Sequence, residues 1–281
     1  MPPGPTNMKK AAFLLISMLL LAQGCTNLFF NPQKEFAVNP AVSTNEYKNV
    51  YFMSSDGVRL HGWFIKAKAG KKGTVIFLHG YSQNISIQID KVLWLTSEGY
   101  DVFAFDYRGY GRSNGTPSFE GVHKDTIAAF KTIFDLAGIN NDKVFVLGQS
   151  LGGAVAVYSV ANSQYKDRIK GLIIDCAFSS YRQIAKDKIS QLPVSWPLIY
   201  LSALVEDDFS PEKWVDKIGD IPVVIIHGDK DEAVPLKHAF RLFEAANEPK
   251  ELWIVKGKGH VLSFTDESIK KRLVAFLTAA R

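Results

Sequence analysis

Residues Gly148-Gln149-Ser150-Leu151-Gly152 place a serine between two glycines, directly after the apolar run Val144 to Leu147 and directly before an apolar stretch that opens at Gly153. A strand that turns at once into a helix holds its middle residue on a tight turn. Glycines two positions to either side let helix and strand pack closely, which leaves the serine hydroxyl exposed above the turn. The helix N-terminus beneath it favours negative charge that develops there. A serine hydroxyl attacks a carbonyl only when a base removes its proton, and an imidazole base needs a carboxylate to orient it.

On a strand–turn–helix scaffold the expected chain order is serine, then acid, then histidine. The run Val223 to Ile226 is followed by His227-Gly228-Asp229-Lys230-Asp231, which offers two carboxylates, Asp229 and Asp231. Gly257-Lys258-Gly259-His260 follows the next apolar run, Leu252 to Val255. Among the six histidines only His260 has both the order and a flexible loop after a strand. His61, His79, His123, His227 and His238 read as structural or surface residues. The oxyanion formed on attack needs two backbone N–H donors. One is Leu151, next to the serine. The other is expected in Phe77-Leu78-His79-Gly80-Tyr81-Ser82, at Tyr81. No metal-ligand spacing and no glycine-rich nucleotide fingerprint is present, so neither metal nor organic cofactor is expected.

These loops must be carried by strands. Val50 to Met53 and Val58 to Ile65 read as a hairpin joined at Ser55-Asp56-Gly57. Thr74–Leu78, Val102–Phe105, Val144–Leu147, Leu172–Ile174, Val223–Ile226 and Leu252–Val255 are short apolar runs without alternation, as suits strands buried on both faces. Helical patterns fall at about 87–97, 120–137, 152–163, 237–246 and 267–279. The alternation predicts an α/β fold with a doubly wound, mostly parallel sheet and its functional loops at strand C-terminal ends. Residues 177–218 exceed what one crossover helix needs and read as a short helical insertion over that edge. Its apolar residues, Leu192 to Val205, would either wall an acyl site or bury themselves against the sheet, and Glu206-Asp207-Asp208 are expected to face solvent.

Ser55-Asp56-Gly57-Val58-Arg59-Leu60-His61-Gly62-Trp63, His79-Gly80-Tyr81-Ser82-Gln83-Asn84 and Asp106-Tyr107-Arg108-Gly109-Tyr110-Gly111-Arg112-Ser113 complete a set of ordered motifs. Together with the serine, acid and histidine stretches, they resemble the serine-hydrolase branch of the α/β-hydrolase superfamily. The pattern is closest to its compact esterase, serine-aminopeptidase-like and depalmitoylase-like members. The resemblance runs from about Tyr47 to the C-terminus and favours Asp231 over Asp229 as the acid. It implies two-step acyl transfer by Ser150, His260 and Asp231 on an ester, thioester or amide of small-molecule or lipid-like character. An acyltransferase on the same triad and a non-catalytic envelope-binding module remain the other readings. Asp106 and Arg108 are expected to be structural.

The 281 residues carry 33 Lys+Arg against 28 Asp+Glu and only two cysteines, Cys25 and Cys176. That excludes a disulfide framework, and the charge is too mild to suggest nucleic acid. Lys9 and Lys10 precede the apolar run Ala11 to Ala22, which is short for a membrane span and reads as a secretory signal peptide, with Met8 the expected start. Leu20-Leu21-Ala22-Gln23-Gly24-Cys25 resembles the lipobox of bacterial lipoproteins, which implies lipid on Cys25; Ala22 stands where that family usually has Leu. An uncleaved anchor and a plain signal peptide are the alternatives. Residues 1–24 are thus expected to be the signal, 25–46 a lipidated tether and 47–281 one hydrolase domain. The expected location is the bacterial cell envelope, with outer membrane favoured because Thr26, not Asp, follows Cys25.

Overall fold

Apolar residues occupy both faces of the central strands. In β4 (Gly73–Leu78), Val75 and Phe77 join one core with Phe145 and Leu147 of β7 (Val144–Gln149), while Ile76 and Leu78 join a second core with Val146. Strands of this kind are stable only when both faces are covered. The computed structural model, which describes residues 29–37, 46–68, 70–135, 143–191 and 198–280, covers them with helices on each side. Cys25 and the signal segment lie outside the described residues.

The sheet adds β2 (Tyr47–Met53), β3 (Arg59–Ile65), β6 (Tyr100–Asp106), β8 (Ile169–Asp175), β9 (Val223–Gly228) and β10 (Lys250–Val255) in the order β10-β9-β8-β7-β4-β6-β3-β2. β2 and β3 form the expected antiparallel hairpin, β3 pairs antiparallel with β6, and the remaining pairs are parallel. Residues of α2 (Phe119–Asp135), α3 (Leu151–Ala161) and α5 (Lys237–Ala245) pack into one core. Those of α1 (Ile85–Gln88) and α6 (Glu267–Ala279) pack into the other. The chain leaves β4 toward β6 on one side and returns through β7 on the other. The loops after β4 and β7 therefore diverge at a switch point, where open α/β sheets form their sites.

Three expectations need correction. The helix expected near 87–97 is a chain of short turns: α1, then 3₁₀ turns at Ile89–Lys91 and Leu93–Thr96. In these 3₁₀ turns the buried apolar residues Ile89, Val92 and Leu95 fall every three positions, as the three-residue turn allows. Within the insertion, α4 (Tyr181–Ser190) is followed by 3₁₀ turns at Ile199–Leu204, Pro211–Lys213 and Val215–Ile218. There Asp207 does not face solvent: it is buried and accepts from Ser180 Oγ at 2.7 Å and the Arg182 N–H at 3.0 Å, tying down the start of α4.

The third concerns the tether. Residues 29–37 lie on the domain. β1 (Asn31–Pro32) pairs in parallel with β5 (Ser82–Gln83), and Phe29 and Phe30 are buried against Phe119. Asn84 Nδ2 donates to the carbonyls of Gln33 and Glu35 at 3.0 and 2.7 Å. Two adjacent phenylalanines in a polar stretch have no reason to stay in water when a groove lined with aromatic rings lies beside them.

Arg108 fixes the other flank, in the structural role expected of it. Its Nη2 donates to Asp125 of α2 at 2.8 Å, and its fork reaches Asp56 in the β2–β3 turn at 2.9 and 3.0 Å. The Asp125 side chain is fully buried, whereas that of Asp56 is 32% exposed. Asp125→Ala is expected to cost about 3–5 kcal/mol, because it leaves a buried guanidinium without its main partner. Asp56→Ala is expected to cost about 1 kcal/mol or less, as for a solvent-screened pair. Urea unfolding midpoints of the two variants check the contrast.

Candidate active site

Ser150 stands between β7 and α3 with φ +55°, in the left-handed region that non-glycine residues seldom occupy. The packing around it leaves no alternative. A Cβ on Gly148 would lie 2.3 Å from the Gly152 carbonyl oxygen, and one on Gly152 would lie 2.1 Å from the Leu78 carbonyl oxygen. Both glycines are thus required by backbone-to-backbone contact, as the spacing predicts.

His260 Nε2 lies 3.0 Å from Ser150 Oγ, and His260 Nδ1 lies 2.8 Å from Asp231 Oδ2. A carboxylate only accepts, so Nδ1 carries the proton and Nε2 is free to take one from the serine. The second Asp231 oxygen accepts from the N–H groups of Ala233 and Val234 at 2.9 and 2.8 Å. Burial alone would raise the Asp231 pKa, but the hydrogen bond and charge of His260, with the Val234 N–H, hold it below the usual carboxylate value. Asp229 is engaged elsewhere, accepting from the Gly257 N–H at 2.6 Å.

The other histidines are occupied by structure. His227 Nε2 donates to the Val234 carbonyl at 2.8 Å and so braces the loop that carries Asp231. His79 Nδ1 donates to the Gly80 carbonyl at 2.8 Å, and His61 Nε2 bonds Asn49 at 2.7 Å. Burial pushes His123 down to about 3 and His238 down to about 4, the latter in spite of Asp187. Both are neutral near pH 7.

Leu151 opens α3, where the first N–H groups have no partner within the helix. Tyr81 follows β4, and its carbonyl is taken by the Asn31 N–H at 2.9 Å and the Tyr110 hydroxyl at 2.5 Å. Its loop is thereby held from the side of residues 29–37, a strap laid on the domain. Beside Ser150 lies a pocket of about 370 Å³, lined mostly by apolar side chains that include Phe29, Tyr81, Phe178, Ile184 and Ala185. The wall expected from the insertion thus comes from α4. Leu198, Tyr200, Leu201 and Leu204 line no part of it and stay exposed, while residues 192–197 lie outside the described residues.

Two supports escaped the sequence. One is the strap, with Phe29 in the pocket wall. A second is the fully buried Asp175, which accepts from Gln149 Nε2 at 2.8 Å and Ser263 Oγ at 2.6 Å. This carboxylate ties the loop after His260 to the strand that ends at Ser150. Near them, Cys176, His227 and Asp231 bring polar atoms within 4.8 Å of one another. These residues already serve other ends. His227 and Asp231 make the bonds given above, and burial raises the Cys176 thiol well above its ordinary value. The strand-end contacts of Asp175 and Cys176 carry no sequence motif that could have announced them.

The serine aminopeptidase S33 family model matches residues 69–207. The uncharacterized protein YfhR of Salmonella typhi is 34% identical over 265 residues, covering 90% of this chain and 86% of its own. The alpha/beta hydrolase domain-containing protein WAV2 of Arabidopsis thaliana is 33% identical over 225 residues, covering 76% of this chain and 71% of its own. The structure of the esterase Pf2001 from Pyrococcus furiosus matches with a TM-score of 0.72 at 26% identity, covering 90% of this chain and 97% of that one. The chain belongs to the α/β-hydrolase superfamily and is a hydrolase of its serine-hydrolase, esterase-like type.

Gly148→Ala is expected to lose about 1–3 kcal/mol through overpacking, read as a lowered urea midpoint. Asp231 has a folded pKa below its unfolded value of about 3.9. It therefore stabilises the fold above that value, and the contribution fades as pH falls through the lowered one. Asp231→Asn is expected to remove that part of the acid dependence of the unfolding midpoint.

Proposed function

We propose that the protein is an envelope-anchored serine hydrolase that cleaves carboxylic esters or thioesters through an acyl-enzyme. The observation that carries this reading is the continuous line Ser150 Oγ–His260–Asp231, with contacts of 3.0 and 2.8 Å, opening into a largely apolar pocket. Ser150 Oγ attacks the carbonyl carbon while its proton passes to His260 Nε2. Asp231 holds the imidazole by Nδ1–H and offsets the charge it gains. The N–H groups of Tyr81 and Leu151 stabilise the oxyanion. The leaving alcohol or thiol departs with the proton from His260. Water then gives a proton to His260, attacks the acyl carbon and releases the acid, and the proton returns to Ser150.

Preference for esters over peptides rests on the lining. Among the described residues no carboxylate lines the pocket and Lys188 does, so a substrate's free amino terminus would find no counter-charge there. The lipobox-like segment ending at Cys25 supports the anchor, and with it a position at a membrane. Acyl transfer to an alcohol in place of water uses the same acyl-enzyme and differs only in the acceptor.

The test is turnover of esters and thioesters of increasing acyl length by the full chain, with fluorophosphonate labelling in parallel. Ser150→Ala is expected to lose at least about 10⁴-fold in kcat/KM and all labelling, and Asp231→Asn about 10³–10⁴-fold in kcat. A native protein that neither turns over any substrate nor takes the label sinks the reading. Labelling that survives Ser150→Ala means that the nucleophile lies elsewhere. Diacyl-modified Cys25 in the mass spectrum checks the anchor.

A further inference from the structure

We infer that the mouth of the pocket docks on a lipid bilayer, so that the substrate's acyl chain enters Ser150's pocket from the membrane. The inference rests on the hydrolase reading above and adds the surface from which the substrate is drawn.

The first argument is where the chain leaves the fold. Residues 29–37 are fixed at several points: the Asn31 N–H bonds Tyr81 at 2.9 Å, Lys34 Nζ donates to the Ser113 carbonyl at 2.6 Å, and the Ala37 N–H donates to Ser86 Oγ at 3.1 Å. At the head of this strap, Phe29 is in the pocket wall. Cys25 lies four positions before it, and a fully extended chain covers about 3.3–3.6 Å per residue. A lipid on Cys25 is therefore held within about 14 Å of the pocket lining. An uncleaved anchor ending at Ala22, seven positions before Phe29, would leave the bilayer within about 25 Å of the same lining. Either way the membrane meets this edge of the molecule and not the opposite one.

The second argument is what that edge exposes. Tyr81, at the pocket, is 48% exposed. Leu262, two residues beyond His260, is 47% exposed. The turn Ile199–Leu204 packs on α4, whose Ile184 and Ala185 line the pocket. On that turn Tyr200 and Leu204 are 75% and 59% exposed, and Leu201 beside them is also exposed. These side chains neither fill the pocket nor join the core. Apolar residues grouped at a site and left in water mark an interaction surface, and tyrosine and leucine suit the boundary between headgroups and acyl chains. Charges of both signs adjoin the set, among them the exposed Lys188, Glu206 and Asp208. Apolar insertion therefore accounts for docking better than attraction to anionic headgroups.

The test uses the full chain reconstituted in phosphatidylcholine vesicles. In Tyr200→Cys labelled with bimane, the native Cys176 is buried and protected, and a parallel sample without the added cysteine subtracts any label on Cys25. Brominated phosphatidylcholine is expected to quench this probe at least threefold more than a probe at Lys131→Cys, at the far end of α2. Equal quenching at the two sites overturns the proposal, as does a probe shielded only by a second copy of the chain. In the enzymatic arm, Leu201→Ser/Leu204→Ser is expected to turn over a short soluble ester within twofold of native. The same variant is expected to lose at least tenfold on a long-chain ester embedded in the vesicles. Equal loss, or no loss, on both substrates also counts against docking. If the native chain hydrolyses neither ester, the hydrolase reading fails while the quenching comparison still decides the docking.

Discussion

Between β7 and α3 there is room for hydrogen at residues 148 and 152 and for nothing larger. The strand end, the helix start and the end of β4 meet there backbone against backbone, with Leu78's carbonyl in the space a side chain on residue 152 would need. That contact holds Ser150 at a positive φ, aims the first N–H of α3 across the turn and brings the loop after β4 alongside. Every other part of the site is placed relative to this one close approach. The cost of the strained serine is met by the burial of two sheet faces around it.

The histidine is placed by different means. It sits on a loop, and loops are held by bonds and not by close packing. His227 braces the loop that carries Asp231, and Asp175 reaches through Ser263 to the loop that carries His260. Gln149, next to the serine, bonds the same Asp175. A single buried carboxylate thus connects the strand that leads to Ser150 with the loop that carries His260, in a setting where an unmet polar group would be costly.

Much of this is legible from sequence because the constraints are local. Glycine spacing around Ser150, short apolar runs and loops after strands each reflect packing within a few residues. Asp231 and Asp229 are not separable by local physics; the resemblance favours one, and the structure places His260 Nδ1 against Asp231. Asp175 is a different case, since it ends an apolar strand like many others and its partners lie 26 and 88 residues away. The strap is hidden for a related reason. Residues 29–37 have no periodicity, and their bonds close on residues as many as 79 positions later. Composition describes such a stretch as polar linker because only the folded partner gives Phe29 and Phe30 somewhere to go.

The strap also changes what counts as the whole enzyme. The motifs begin near Tyr47, and a chain trimmed to that boundary would keep β2 to β10 and α1 to α6, with Ser150, Asp231 and His260 in place. It would lack Phe29, one wall of the pocket, and the Asn31 N–H that holds the loop of Tyr81. Substrate preferences measured on such a trimmed protein would describe a wider and looser cavity than the natural one. The boundary of the fold and the boundary of the working site are different places in this chain.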